Sequence, residues 1–255
     1  MDKGLKLRML VHKILFDIYR SKTNIDYLFK KYSIEKYDLR DIAFINTVCL
    51  NTMRYSFHTK GIISQFTKTK PKLKAQILLS SAITQIVYLD FKNYAVLNDS
   101  VEIAKKSKIY HGFINAFLRK ICSNKEKLKR TKIVYSDLPK WFNNETIDLN
   151  IFEKNQFLNN FYKEPDIHLV FKNSSSLLKF KDKIVLSSHN SGFLVNKKKI
   201  EDLSSYKNGS WWVQDFSSSF PLNNISDKLI EKTCLDVCGA PGGKSFQILA
   251  RQKNV

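Results

Sequence analysis

The chain has 255 residues but only eight glycines and five prolines, which argues against long linkers or low-complexity tracts. Methionine and tryptophan are scarce, at three each. The four cysteines, Cys49, Cys122, Cys234 and Cys238, follow no regular framework. No second Cys or His pair stands near Cys234 and Cys238, so no metal site is expected. Unpatterned, reduced thiols fit a cytoplasmic protein. No apolar run approaches the ~20 residues that span a bilayer. The N-terminal Met-Asp-Lys-Gly-Leu-Lys-Leu-Arg lacks the apolar core of a secretory signal. The expectation is a cytoplasmic, monomeric protein without membrane contact. Acidic residues are also few: 23 Asp and Glu stand against 43 Lys and Arg, for a net charge of +20. That balance favours a polyanionic partner, nucleic acid first. Lys is enriched together with Asn, Ile, Phe and Tyr while Arg is scarce, so compositional bias accounts for part of the charge.

What is present reads first as helix. Leu7, Leu10, Val11, Ile14, Leu15 and Ile18 recur at three and four residues, giving one apolar face. Asp38 suits the N-cap of a helix carrying Ile42, Ile45, Val48, Cys49 and Met53. Pro71 opens a segment with Leu73, Ile77, Leu78, Ile86 and Val87. Asn98-Asp99-Ser100 reads as a further cap, and Gly112 precedes Phe113, Ile114, Phe117 and Leu118. Residues 1–123 are expected to form a bundle of about six short helices. A basic run follows, Lys120, Lys125, Lys127, Lys129, Arg130 and Lys132, opposed only by Glu126. It reads as a solvated linker, with a phosphate contact as the functional alternative. Residues 137–163 read as a small helical element, with Pro139 near its first turn. From Ile167 the period shifts. Ile167, Leu169 and Phe171, then 184–186, 193–195 and 210–214 read as short strands of a small α/β module over 165–215.

The C-terminal part carries the chemistry. Residues 233–237 are short, apolar and β-compatible. Residues 238–243 supply three glycines and a proline, and Phe246, Ile248 and Leu249 lie on a plausible helix. Strand, glycine loop and helix make the first βα unit of a doubly wound sheet. Glycine permits positive φ and close ligand approach, and free N–H groups stand at the helix start. Gly239, Gly242 and Gly243 do not fit Gly-x-Gly-x-x-Gly. A phosphate-binding Gly-x-x-x-x-Gly-Lys-Ser loop would need glycine at 238, which is Cys, so a nucleotide hydrolase is a poor reading.

The order Asp-x-Cys-Gly-Ala-Pro-Gly-Gly-Lys-Ser at 236–245 closely resembles the first cofactor motif of the RsmB/Sun family of RNA cytosine-C5 methyltransferases. Gly239 replaces the usual Ala, and Ser245 the usual Thr. Val213-Gln214-Asp215 resembles the family segment ahead of the methyltransferase sheet, and Leu138-Pro139-Lys140-Trp141 its middle region. Leu39-Arg40-Asp41, Arg54, residues 95–102 and 112–119 resemble the NusB-type RNA-binding domain of the bacterial branch. His168 stands near a place where the family has an Arg.

The resemblance implies four parts. These are a NusB-like helical RNA-binding domain over 1–123, a basic linker and helical element over 124–164, the small α/β module over 165–215, and the start of a Rossmann-like methyltransferase domain over 216–255. It further implies that Cys238, Gly239, Ala240, Pro241, Gly242, Gly243 and Lys244 hold S-adenosylmethionine, and that the substrate is 16S rRNA. The family's nucleophilic Cys adds to cytosine C6 and lies downstream of this loop, so no catalytic residue is expected before 255. An acidic ribose-binding residue is expected after a second strand, whose start falls near Val255. A single strand and helix cannot make a stable sheet domain, so this chain alone is expected to bind cofactor weakly or not at all and not to methylate. The alternative is a non-catalytic NusB-like RNA-binding protein with a vestigial methyltransferase tail.

Overall fold

A computed structural model of the chain describes residues 2–195, 200–225 and 232–251. They fall into two compact units, Met1–Lys163 and Glu164–Val255. The reading that placed Val255 near a second strand lies outside the described residues.

The first unit is helical. Its main bundle comprises α1 (Lys3–Ser21), α2 (Ile25–Lys31), α3 (Leu39–Arg54), α4 (Ser56–Phe66), α5 (Leu73–Ile83), α6 (Asn93–Lys106) and α7 (His111–Ser123). Leu7, Val11, Ile14 and Leu15 of α1 pack on Ile45, Val48 and Cys49 of α3. Helix α5 is apolar almost all round, and seven of its eleven residues are buried, so it runs through the centre. It opens into a π-helical turn at Thr84–Tyr88, where Leu89 N–H donates to the Thr84 carbonyl at 3.0 Å. Asp38 caps α3 as its sequence suggests, accepting from Asp41 N–H at 2.9 Å.

Asn98-Asp99-Ser100 is not a cap. Helix α6 already begins at Asn93, and Asp99 turns inward to meet the Arg8 guanidinium at 2.8 Å. Arg8 also donates to Gln85 of the π turn at 2.8 Å and lies 5.3 Å from the centre of the Phe44 ring. Helix α4 was not read from the sequence, because Tyr55 alone separates it from α3.

Three short helices continue the first unit: α8 (Lys125–Lys129), α9 (Lys140–Glu145) and α10 (Ile151–Phe161). Leu128 is buried in the core formed around α5 and α7, and Lys125 and Lys129 both reach Asp90, at 2.9 and 2.8 Å. The basic run is therefore folded onto the bundle rather than being a free linker. Pro139 stands at the N-cap of α9, one place before its first turn. A small core of Ile133, Leu138 and Leu158 joins these helices to Phe57 of α4.

The second unit is built on one sheet of β1 (His168–Phe171), β2 (Ile184–Leu186), β3 (Ser191–Leu194) and β4 (Trp211–Val213). The order is β2-β3-β1-β4 and all pairings are antiparallel. The short helix α11 (Ser174–Leu178) is capped by Asn173, which accepts from Ser176 N–H at 2.9 Å. Leu169, Phe171, Phe180, Ile184, Leu194 and Trp211 make the core on one face. Helices α12 (Phe216–Ile225) and α13 (Gly243–Arg251) pack against each other.

Two stability predictions follow from the first unit. Replacing Arg8 with Ala leaves the half-buried Asp99 carboxylate without its cation and should cost about 2 kcal/mol in urea unfolding; a loss under about 0.5 kcal/mol would show the pair to be incidental. Burial, with Lys74 as a lesser cause, pushes His12 down from 6.5 to about 4. The unfolded chain therefore takes up this proton first as pH falls. The stability His12 preserves is full above 6.5 and is lost as pH drops toward 4, by about 3 kcal/mol. The variant His12→Gln should flatten that part of the pH–stability curve.

Candidate nucleic-acid interface and glycine loop

A groove of about 830 Å³ opens on the helical unit, between the end of α1, the segment joining α4 to α5, and the segment joining α6 to α7. Phe16, Phe66, Leu73 and Phe113 supply apolar surface to it. Arg20, Lys68, Lys72, Lys74 and Lys108 bring five cationic groups, and no carboxylate lines it. Two of these cations sit against the aromatic surface. Lys74 Nζ is 5.4 Å and the Arg20 guanidinium 5.8 Å from the centre of the Phe16 ring. Tyr110, also lining the groove, is 76% exposed. The sequence alone does not show this groove, and the later basic run, read as a solvated linker with a phosphate contact as alternative, lies elsewhere. The groove's signal was the alternation Lys68-Thr69-Lys70-Pro71-Lys72-Leu73-Lys74, which places lysines between two helices and leaves them unpaired by nearby acids.

The glycine loop lies in the second unit. Residues 238–242 form an exposed or half-exposed turn that leads directly into α13, so Cys238, Gly239, Ala240, Pro241, Gly242, Gly243 and Lys244 stand together. Asp236 closes the turn. Its carboxylate accepts from Cys238 N–H at 3.2 Å and from the Ser245 hydroxyl at 2.6 Å. Gly242 has φ +101°, and a Cβ there would meet the Phe246 ring at 2.9 Å. Phe246 N–H donates to the Gly242 carbonyl at 2.8 Å, which starts the helix. The expected strand at 233–237 does not form. These residues pair with no strand among the described residues, and Leu235 and Val237 are 87% and 83% exposed. A β-compatible segment becomes a strand only when a neighbour receives its ladder hydrogen bonds.

His168 is not part of the glycine loop. It is buried, with Nδ1 donating to the Gln214 carbonyl at 2.8 Å and Nε2 at 2.8 Å from the Ser187 hydroxyl. A carbonyl only accepts, so Nδ1 carries the hydrogen. The place where the family has an Arg is thus filled by a residue that ties β1 to the chain beyond β4 and to the β2–β3 connection. Cys49 is buried, and its thiol is pushed up to about 12. Burial also raises Cys122. Cys234 and Cys238 are exposed. Among the described residues no three His, Cys, Asp or Glu side chains gather as a metal site, and no helix is long and apolar enough to cross a membrane.

Residues 5–123 match the model of the NusB family, and the helical bundle is NusB-like. No curated protein matches the chain. A solved chain described as the crystal structure of PH0851 is similar in fold, with a TM-score of 0.54 at 13% identity. That likeness covers 98% of this chain and 61% of PH0851, so this chain spans less than two thirds of that one.

Thiol exposure gives a direct check of the loop. In the native protein Cys234 and Cys238 should react with a maleimide at rates within about tenfold of a free thiol, while Cys49 reacts only on unfolding. Rapid native labelling of Cys49, or protection of Cys238, would contradict the arrangement.

Proposed function

We propose that this chain is the RNA-recognising part of an S-adenosylmethionine-dependent methyltransferase that modifies cytosine C5 in ribosomal RNA, with 16S rRNA as its substrate. The observation that carries the RNA reading is the groove of the NusB-like bundle. Its five cations and lack of carboxylates suit a phosphate backbone. Its aromatic surface suits base faces, which stack without sequence preference.

The methyltransferase reading rests on the motif at 236–245. The residues present fit the cofactor in one respect that the fold makes concrete. The first turn of α13 offers backbone N–H donors beside an open loop whose shape Asp236 holds. Residues 238–244 would hold S-adenosylmethionine, which when bound supplies an electrophilic methyl group. Asp236 fixes the turn by accepting from Cys238 N–H and Ser245, and Gly242 allows the chain to reverse under the Phe246 ring. Cys49 is too deeply buried to act as a nucleophile, and none of Cys122, Cys234 and Cys238 is assigned that role.

RNA binding is tested by anisotropy with a labelled 16S rRNA fragment across a salt series. Reversing Lys68, Lys72 and Lys74 to Glu should weaken binding at least about tenfold and reduce the salt slope by about 2, since single-stranded contacts contribute ~0.7 each. Reversing Lys120 and Lys127 should change affinity less than about twofold. A salt-independent complex, or equal losses in both sets, would refute the groove. The cofactor reading is tested separately by ultraviolet cross-linking of radiolabelled S-adenosylmethionine. The adduct should map to the peptide containing 238–244. An adduct mapping to any other peptide would refute the assignment of 238–244 to the cofactor.

A further inference from the structure

We infer that Gln214 and Gln247 are positioning residues for the glycine loop, through a one-way relay of buried amides that fixes where α13 begins. The inference deepens the cofactor reading of 238–244, and its structural part stands without that reading.

The relay runs in a single sense. Trp212 Nε1–H donates to Gln214 Oε1 at 2.8 Å, and Gln214 Nε2 donates to Gln247 Oε1 at 3.1 Å. Gln247 Nε2 then donates to the Ser219 carbonyl at 3.0 Å and to Asn223 Oδ1 at 2.7 Å. Asn223 Nδ2 passes the sense on to the Ser188 hydroxyl at 2.7 Å. Gln214, Gln247 and Asn223 are all more than nine-tenths buried. Each amide uses its oxygen as acceptor and its nitrogen as donor, and the Trp212 indole, a donor only, sets the direction. The backbone of Gln214 is pinned as well. Its N–H donates to the His168 carbonyl at 3.2 Å, and its own carbonyl accepts from His168 Nδ1.

The relay reaches the loop at Gly243. A Cβ built on Gly243 would lie 3.3–3.4 Å from the Gln214 side chain, closer than ordinary contact. Gln214 resists giving way, because both ends of its amide are already engaged. Glycine at 243 spares the Gln214 side chain a shift of a few tenths of an ångström, whereas glycine at 242 suits its own positive φ. Gln214 thereby sets the seat of the helix start, and Gln247, four residues into α13, locks the helix in it.

The test is hydrogen–deuterium exchange of the whole chain without cofactor, so it is independent of whether the loop takes S-adenosylmethionine. Gln247→Ala should speed exchange at 244–251 by about tenfold and leave 168–171 within about twofold of wild type. Gln247→Glu places a carboxylate against two acceptors, and should loosen the same segment more than Gln247→Ala does. Should Gln247→Ala unfold the sheet too, a double-mutant cycle decides. Gly243→Ala should loosen 243–251 in the wild-type background and have little further effect in Gln214→Ala, where the Cβ has room. Equal effects of Gly243→Ala in both backgrounds, or unchanged exchange in Gln247→Ala, would overturn the inference.

Discussion

The helical unit depends on the Arg8 guanidinium. A guanidinium keeps its charge at any ordinary pH, so each element around it must offer an acceptor or a ring face. Helix α6 offers Asp99, the π turn after α5 offers Gln85, and α3 offers Phe44. The widened turn is itself held locally. The Thr84 hydroxyl and the Gln85 amide both donate to carbonyls four residues back, at Ser80 and Ser81. Placing two charges here is expensive: burial pushes the Asp99 carboxyl up, and Arg8 beside it only partly offsets this. A pair of this kind contributes less through net energy than by fixing which helix faces meet. Helices α1, α3 and α6 can then bury their apolar stripes in one arrangement.

The apolar stripes were legible in the sequence because helical period and burial coincide. Leu7, Val11, Ile14 and Leu15 are buried where the period puts them, and Asp38 caps where its type suggests. The charges were less legible. A run of lysines shows nothing of the carboxylates that folding brings to it. Asp90 lies far back in sequence from Lys125 and Lys129, and it offsets the charge of two members of the run. The cations that line an acid-free groove come from three separate segments, and only the fold joins Arg20, Lys72 and Lys108.

The sheet was readable strand by strand, but its second face was not. Alternation at Ile167, Leu169 and Phe171 suggests one buried and one wet face, yet all four residues of β1 are buried. His168 is polar and still goes inside, because both ring nitrogens find partners. Such partners are remote in sequence, and no period announces them.

Helix α13 inverts the usual pattern for the same reason. Its apolar Phe246 and Leu249 are 47% and 51% exposed, while the polar Gln247 is 2% exposed. Periodicity would have turned the helix the other way. Apolar contact tolerates sliding, since any close fit removes about the same area from water. A chain of amides does not, because donor must meet acceptor at every step or a buried group is left unpaired, at roughly 1–3 kcal/mol each. Backbone donors at a helix start stay in place only when the helix itself is held to within a fraction of an ångström. The strand expected before the loop does not provide that constraint here. The polar relay behind the loop does, and for that reason α13 keeps its buried glutamine.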